Sequence, residues 1–469
     1  MFGKKPSDDA PATPAPAFQS EGLKTAAAPM PTEPVTRTLS FIDNELKTDA
    51  FLRAKQQLVQ SLMNDINFAS LESLPKDTRR ERVKEAATRL SADIKIPLNG
   101  KQQDALYEQA LDEILGFGPI QPLLDDPTVN DIMINGYENV YVESRGKIFK
   151  TDVLFANEDH LLAMIQRVVS RVGRRVDESS PMVDARMPDG SRFNAIIPPL
   201  ALDGCLVSIR KFEREKLPLS TYLKYGSLSE QMMRFLEICS NARLNMIISG
   251  GTGSGKTTLL NALSGNIDSG ERIITIEDAA ELQLHQPHVL RLETRPASIE
   301  GKGEITQRQL VKNALRMRPD RIILGEIRGD EVIDVLSAMN TGHDGSMATI
   351  HSNSPRDCLS RIENLVAMTS VQLTAAALRT QIASAVQIII QLERMRDGTR
   401  RITSIEEVVG VEGSIITTQT LFSFKVSGLD GDGTIRGEYI CHGIRPRMLS
   451  RAEYYGLGNA VLECMKLSV

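Results

Sequence analysis

Tryptophan is absent from this sequence of 469 residues, and only 4% of the residues are aromatic. Proteins that bind single-stranded nucleic acid without sequence preference stack the bases on aromatic side chains, so few such platforms are present here. The formal net charge of -5 also gives no overall attraction to a polyphosphate backbone. We therefore expect no nucleic acid as a partner.

Cysteine is scarce, and long apolar runs are missing. The five cysteines are widely spaced without a CxxC pair, which argues against a zinc site and against a disulfide framework. No stretch approaches the roughly 18 apolar residues of a membrane-spanning helix. The opening residues MFGKKPSDD lack the apolar core of a signal peptide. We therefore expect a cytosolic protein with reduced thiols.

Composition and apolar spacing divide the first half of the chain into four segments. Residues 1–37 include a Pro/Ala-rich stretch and are expected to be a disordered tail. Residues 38–98 show helical spacing and predict a small helical module. Residues 99–215 mix helical and alternating runs, with hairpins at 145–146 and 188–190, and predict an α+β domain. Residues 216–229 interrupt this periodicity and predict a linker, either a hinge or a fixed connection.

The remaining segment, residues 230–469, alternates short β-branched runs with helical stretches. This alternation predicts a mainly parallel sheet flanked by helices, an α/β fold, with a β-rich appendage near the C-terminus. A chain of this length with 41% hydrophobic residues can bury two or three separate cores. We therefore expect a multidomain protein.

The octet GGTGSGKT, residues 250–257, follows an apolar run and precedes a helical stretch, which is the context of a phosphate loop. Its glycines allow backbone N–H groups to converge on phosphate oxygens, and the helix N-terminus adds partial positive charge. In this motif Lys256 reaches the β- and γ-phosphates and Thr257 ligates Mg²⁺. The predicted nucleotide-binding residues are Gly251, Thr252, Gly253, Ser254, Gly255, Lys256, Thr257 and Thr258. The expected ligand is a nucleoside triphosphate.

RIILGEIRG, residues 321–329, is an apolar run that ends in an acid. Core strands of this form carry a carboxylate to the phosphate end of a P-loop sheet. Here Gly325 precedes Glu326, at a position where many such proteins have aspartate. Either Glu326 reaches Mg²⁺ through water or another acid substitutes for the missing aspartate.

Two more segments carry titratable side chains. IITIEDAAEL, residues 273–282, groups Glu277, Asp278 and Glu281 after an apolar strand, although a charged strand end is also typical of a solvated cap. TGHDGSMATIHSNSP, residues 341–355, sets His343 and His351 among small residues. This pattern indicates a loop and strand edge that present imidazoles to a ligand or a switch. Metal binding is the weaker alternative, because no third ligand lies nearby in the sequence.

Together these four segments resemble the secretion-ATPase superfamily, the hexameric motors of type II secretion, type IV pili and type IV secretion. GGTGSGKT is similar to its Walker A motif, IEDAAEL to its Asp box, RIILGEIRG to its Walker B motif and TGHDGSMATIHSNS to its His box. The resemblance covers about residues 100 to 400. RLETRP, LVKNALRMRPDRIILGEIRG and MNTGHDGSMATIHSNSPRDCLSRIE are most similar to the tight-adherence (Tad) pilus assembly ATPase of the CpaF type.

The resemblance implies a RecA-like P-loop ATPase domain, preceded by an α+β N-terminal domain and a small helical module. It also implies hydrolysis of ATP with Mg²⁺ by a homo-hexamer. The expected partner is an inner-membrane pilus platform protein that holds the motor at the cytoplasmic face, without insertion into the membrane.

The resemblance further implies a role for each catalytic side chain. Glu281 would activate water, Glu326 would act at the metal, and Asp278 would support this network. His343 and His351 would couple the γ-phosphate to domain movement. Arg192, Arg210 and Arg295 are similar to arginines that stabilise charge on the γ-phosphoryl group, although each could instead form an ordinary ion pair.

Three alternatives stay open from the sequence. A nucleic-acid translocase would share the phosphate loop. A nucleotide-gated scaffold would bind ATP and assemble with little hydrolysis, which the missing Walker B aspartate permits. Within the superfamily, a type II or type IV secretion ATPase is the alternative, and the absence of a four-cysteine zinc module argues against type II secretion.

Overall fold

The computed structural model describes residues 38–66, 70–71, 74–93, 96–144, 146–212, 217–284, 286–295, 297, 302–369, 371, 373–431 and 433–467. Residues 1–37, for which the sequence predicts a disordered tail, lie outside these ranges. Contacts group Thr38–Val469 into one unit. Within the described part of this unit, the secondary structure forms one helical cluster and two sheets.

The helices of the described residues are α1 (Asp49–Asp65), α2 (Lys76–Ser91), α3 (Gly100–Leu115), α4 (Gln121–Asp125), α5 (Glu158–Arg171), α6 (Leu219–Lys224), α7 (Glu230–Asn241), α8 (Lys256–Ser264), α9 (Gln307–Ala314), α10 (Val332–Asn340), α11 (Pro355–Ala367), α12 (Ala375–Ala385), α13 (Leu449–Tyr454) and α14 (Gly458–Cys464). Short 3-10 turns occupy Asn44–Leu46 and Gly118–Ile120.

The strands of the described residues are β1 (Thr38–Leu39), β2 (Val129–Asn135), β3 (Val140–Ser144), β4 (Lys147–Thr151), β5 (Met182–Arg186), β6 (Arg192–Ile196), β7 (Leu206–Arg210), β8 (Met246–Gly250), β9 (Ile273–Glu277), β10 (Val289–Glu293), β11 (Arg321–Ile327), β12 (Met347–Ile350), β13 (Ile388–Arg394), β14 (Arg400–Glu412), β15 (Ile415–Leu429) and β16 (Ile435–Cys441).

Helices α1, α2 and α3 share one apolar core, which we call the helical module. Leu58, Val83 and Leu111 are buried in it, one from each helix. Helix α3 begins at a capping box between Asn99 and Gln102, which satisfies backbone N–H groups at the helix start. The sequence predicts the end of the module at residue 98, but the packing of α3 extends the module to residue 115.

Glu113 of α3 connects the helical module to helix α5. Its Oε1 lies 2.9 Å from Lys55 Nζ of α1, and its Oε2 lies 3.0 Å from His160 Nε2 of α5. Burial alone would raise the pKa of Glu113, but the hydrogen bond with His160 and the charge of Lys55 outweigh burial and lower the pKa to about 2. Arg167 of α5 also donates to the backbone carbonyl of Glu113.

The first sheet has seven strands in the order β1-β4-β3-β2-β7-β6-β5. Helix α5 covers it through buried Leu161, Ile165 and Val168. The two hairpins expected from the sequence are present as antiparallel pairs β3–β4 and β5–β6. Arg145, in the first turn, lies outside the described residues.

The second sheet has nine strands in the order β10-β9-β11-β12-β8-β13-β14-β15-β16. Neighbouring strands are parallel from β10 through to β13 in this order. The pairs β13–β14, β14–β15 and β15–β16 are antiparallel. Strands β8 and β9 are buried along their whole length, as expected for strands covered by helices on both faces. The α/β prediction is confirmed, and the expected C-terminal appendage instead continues this sheet.

The predicted linker contains a packed helix. Leu219 and Tyr222 of α6 are buried in the core under the second sheet, so these residues pack with that sheet. Residues 213–216 lie outside the described part of the chain.

All five cysteines are free thiols, four of them buried. Among the described residues, no helix is both long and apolar enough to cross a lipid bilayer. The parallel strands of the second sheet end at one edge, which is where α/β folds bind ligands.

Candidate functional site

The phosphate loop lies between β8 and α8, as the motif requires. Gly253 and Gly255 have φ values of 69° and 95°, in the left-handed region that favours glycine. A Cβ atom at Gly250 would lie 2.5 Å from the carbonyl oxygen of Leu392 on β13, so the close approach of the neighbouring strand requires glycine there. The loop conformation thus follows from consecutive residues and from one contact with β13.

Lys256 lies across this loop. Its Nζ donates to the carbonyl oxygens of Gly250 and Gly251, both at 2.9 Å. Burial lowers the pKa of Lys256, and the nearby carboxylate of Glu326 opposes this shift. A phosphate oxygen is a stronger acceptor for this ammonium group than a neutral carbonyl, so the arrangement suits a polyphosphate.

Thr257 and Glu326 carry oxygen atoms of the kind that Mg²⁺ prefers as ligands. Thr257 lies in the first turn of α8, and Glu326 lies near the end of β11. Among the described residues, no group of three or more His, Cys, Asp or Glu side chains could hold a metal without other ligands. This donor set fits Mg²⁺ as proteins usually bind it, through one or two side chains together with nucleotide phosphates.

The missing Walker B aspartate has a steric explanation. Strand β11 pairs in parallel with β9 and brings Gly325 beside Glu277. A Cβ atom at Gly325 would lie 2.8 Å from Cγ of Glu277, closer than carbon atoms pack. The side chain of Glu277 therefore occupies the space that an aspartate at residue 325 would need.

Glu277 itself is a buried acid that the sequence analysis did not select as a catalytic residue. Its Oε2 accepts the backbone N–H groups of Glu281 at 2.8 Å and Leu282 at 2.9 Å. Its Oε1 is buried without a hydrogen-bond partner among the described residues. Burial raises the pKa of Glu277 to about 7. The signal in the sequence was an acid that directly ends a strand of three isoleucines and one threonine.

Arg328 joins the Walker B strand to the Asp box. Its Nη2 lies 2.6 Å from Oε2 of Glu326, and its Nη1 lies 3.1 Å from Oδ2 of Asp278. The structure thus brings Glu326 and Asp278, both expected site residues, to the two ends of one guanidinium group.

Three arginines form a row across the end of the first sheet. Strand register places Arg186 opposite Arg192, and Arg192 opposite Arg210. Arg192 Nη1 lies 3.1 Å from Oε1 of Glu281, so a first-sheet side chain forms an ion pair with the Asp box. Arg210 pairs with Asp131 of the same sheet at 3.1 Å.

Arg186 was not selected from the sequence, although it contacts both the Asp box and strand β10. Its Nη1 lies 2.5 Å from Oε2 of Glu293, and its Nη2 donates to the carbonyl oxygen of Ala280 at 2.6 Å. No local pattern marks Arg186, because its position depends on the register of β5 with β6.

A cleft of about 870 Å³ is lined by residues of both the arginine row and the Asp box. Arg192, Arg210, Asp278 and Arg328 line it. Arg295, the third expected arginine, also lines the cleft, where its Nε donates to the carbonyl oxygen of Gly303 at 2.6 Å. The phosphate loop does not line this cleft, so the cleft adjoins the phosphate site rather than containing it.

The two histidines lie at opposite ends of β12. His351 directly follows β12, whose Ile350 pairs with Ser249 just before the phosphate loop. His343 precedes the strand, and its Nδ1 lies 3.3 Å from the carbonyl oxygen of Ala338 in α10. His343 is therefore separated from the phosphate edge by the length of a strand, whereas His351 lies at that edge. A role for either histidine stays a prediction.

The segments that carry these motifs lie within a match to a known protein family. A model of the type II/IV secretion system protein family matches residues 113–423. This chain belongs to that family. The secretion-family match begins near the end of α3 and ends in β15, so it includes the first sheet, the phosphate loop and the Asp box, and it leaves most of the helical module outside.

Individual proteins of related sequence carry transfer and secretion names. A conjugal transfer protein of Mycobacterium tuberculosis is 38% identical over 65% of this chain and 87% of its own length. The conjugal transfer protein TrbB of Rhizobium radiobacter is 33% identical over 62% of this chain and 86% of its own. The VirB11 ATPase of the Brucella suis type IV secretion system is 27% identical, with a TM-score of 0.35, over 62% of this chain and 95% of that one.

Proposed function

We propose that this secretion-family protein hydrolyses ATP with Mg²⁺. The observation that carries the proposal is the meeting of three features at one sheet edge: the phosphate loop after β8, Glu277 at the end of β9, and Glu326 at the end of β11. Nucleotides bind at such an edge in α/β folds. Magnesium held by Thr257, Glu326 and the phosphates would neutralise charge that develops on the γ-phosphoryl group.

We further propose that Glu277 is the general base. A base serves best when its pKa lies near the working pH, and the pKa of Glu277 is about 7. Glu281, which the resemblance marks as the water-activating acid, is ion-paired with Arg192. Its proposed role is to hold the arginine row against the Asp box, while Asp278 and Arg328 position Glu326.

The motor proposal rests on the placement of charge on two sheets. Arg192 and Arg210 lie on the first sheet, and the phosphate loop lies on the second. We call the first sheet with its helices and the second sheet with its helices the two lobes. Bound ATP would be attracted by cationic groups of both lobes, and hydrolysis would weaken this attraction, so the two lobes would move relative to each other. In a homo-hexamer, movement at one interface would be passed to the next and to a partner at the membrane.

The proposed cellular role is assembly of a Tad pilus through an inner-membrane platform protein. The runs that resemble the CpaF type support this choice, and so does the helical module, which lies mostly outside the family match. The second candidate is a conjugal or type IV secretion motor, which the names of the relatives favour.

Release of phosphate from Mg-ATP tests the enzymatic proposal. The parent protein is expected to release phosphate, and Lys256→Ala is expected to lose both ATP binding and hydrolysis, because no cation then lies across the phosphate loop. Lys224→Ala, an exposed change at the end of α6, is the matched control. A parent protein that binds ATP tightly without releasing phosphate would support the scaffold alternative instead.

Two further measurements test the motor and its cellular role. Light scattering with and without nucleotide measures the number of subunits, and six are expected. Loss of the gene in its own bacterium is expected to abolish surface pili seen by electron microscopy and to leave conjugation frequency unchanged. The opposite pair of results would favour the conjugal alternative.

A further inference from the structure

The hairpin of β13 and β14 extends past the phosphate loop and carries two arginines beside it. Strand β13 runs parallel to β8, with Leu392 opposite Gly250, so the residues that follow Leu392 lie level with the loop. Strand β14 returns antiparallel and places Arg400 opposite Arg394. The family motifs do not include either arginine.

Arg400 contacts the phosphate loop at Gly253, and Arg394 lies near the same residue. Arg400 Nε donates to the carbonyl oxygen of Gly253 at 2.9 Å. Arg394 Nη1 lies 3.5 Å from the position that a Cβ atom of Gly253 would occupy. The two guanidinium groups therefore border the middle of the loop.

Neither guanidinium has a carboxylate partner within the described residues. The two acids in residues 393–400, at the end of the hairpin, are engaged elsewhere: Glu393 accepts from Thr403, and Asp397 accepts from Thr399. Like charges directly opposite on paired strands destabilise a hairpin. An anion between the two arginines would relieve this repulsion.

Arg394 also makes a contact between the two lobes. Its Nη2 donates to the carbonyl oxygen of Gly146 at 2.7 Å, in the turn between β3 and β4 of the first sheet. Its Nε and Nη1 have no acceptor in the part of the chain that the structure describes. A single side chain thus borders the phosphate loop and holds a turn of the other lobe.

We propose that Arg394 exchanges the Gly146 carbonyl for a phosphate of the bound nucleotide, and that this exchange frees the β3–β4 turn from the phosphate loop. The inference rests on the proposed ATP binding. A guanidinium forms stronger hydrogen bonds with a charged phosphate, which it can hold through two N–H groups, than with a neutral carbonyl, so the exchange favours phosphate. Arg400 acts as a positioning residue that holds Gly253 while Arg394 moves.

The test compares three variants of the full chain in Mg²⁺ buffer. Arg394→Gln is expected to weaken ATP binding about tenfold, because one charge-assisted contact is lost. Arg394→Lys is expected to fall between Arg394→Gln and the parent, since it keeps the charge without the planar fork. The matched control is Arg396→Gln, an exposed arginine in the same hairpin turn, with binding expected within about twofold of the parent.

Titrations with ATP, ADP and AMP show which phosphate is contacted. A loss confined to ATP indicates the γ-phosphate, and a loss shared with AMP indicates the α-phosphate. Equal ATP affinity in Arg394→Gln and Arg396→Gln would overturn the inference. The thermal transition of Arg394→Gln will show whether this variant folds. If it does not fold, Arg394→Lys replaces it in the test. Parent-like ATP affinity of Arg394→Lys, together with unchanged amide exchange in the β3–β4 turn, would then also overturn the inference.

Hydrogen exchange of the β3–β4 turn provides the second readout. ATP is expected to speed amide exchange there in the parent, and Arg394→Gln is expected to exchange quickly without ATP. Unchanged exchange in the parent on saturation with ATP would contradict the release of the turn. A parent that fails to bind ATP at all would overturn the proposed function and, with it, this inference; tight binding by the parent and Arg394→Gln alike overturns this inference alone.

Discussion

Glu277 and Gly325 show how one side chain can replace another within a site. Glu277 extends from β9 into the space beside β11, and Gly325 leaves that space open. A carboxylate of the neighbouring strand therefore lies where a side chain at residue 325 would lie.

At this scale we expect Glu277→Gln to lower ATP turnover at least a hundredfold with little change in ATP affinity, because the loss of a general base affects the chemical step. The parent rate should rise with pH through about 7, as Glu277 becomes ionised. The measurement is turnover from pH 5.5 to 9. A variant that keeps the parent rate and pH profile would exclude Glu277 as the base.

The stability of the Glu277→Gln variant separates catalysis from folding. Because the folded-state pKa of Glu277 is raised from 4.5 to about 7, its stabilising contribution is fully present below pH 4.5 and is lost as the pH rises through 7. Glutamine does not ionise, so the variant does not lose this stability as the pH rises. The variant should therefore be at least as stable as the parent at pH 8, which a misfolded variant would not be.

At the scale of elements, the helical module and helix α5 are joined by a buried acid. Glu113 holds Lys55 and His160 on two different helices, and its low pKa shows that its ionised form is favoured in the folded protein. Removal of one partner from such a buried cluster leaves the opposite charges without compensation.

We expect Glu113→Ala to lower the free energy of unfolding by about 3 kcal/mol at pH 7. Because the pKa of Glu113 is lowered from 4.5 to about 2, this difference from the parent should be complete above pH 4.5 and should vanish as the pH falls through 2. Urea unfolding with hydrogen exchange in α1, α2 and α3 provides the measurement.

The matched control for this change is Glu108→Ala on the same helix. Glu108 pairs with Arg80, and both side chains are more than half exposed. Such a surface pair contributes less than about 1 kcal/mol. Equal losses in the two variants would mean that Glu113 does not join the module to α5.

At the scale of the whole molecule, the two sheets meet through arginines. Arg186 and Arg192 reach from the first sheet to the Asp box, and Arg394 reaches from the second sheet to the turn at Gly146. These contacts lie at different places on the boundary between the lobes, and each involves a residue near the phosphate edge. Under the proposed function, ATP binding and hydrolysis would alter the contact between the two sheets at both places.

A change at Arg210 tests this coupling. Arg210 pairs with Asp131 of the first sheet and also lines the cleft. We expect Arg210→Ala to lower ATP turnover far more than ATP affinity, since a guanidinium that reaches the γ-phosphoryl group acts mainly in the transition state. Steady-state rates and equilibrium titration measure the two effects. A normal rate would show that Arg210 only pairs with Asp131.

The sequence alone determined the phosphate loop, the alternation that predicts the α/β fold and the acids of the Asp box. These features depend on neighbouring residues, because backbone N–H groups, glycine conformations and strand patterns are local. Only the tertiary structure decided that Glu277 occupies the space beside Gly325, that Arg186 joins the arginine row and that His343 lies away from the site. Those facts depend on strand register and on contacts between residues far apart in the chain, which local sequence patterns do not specify.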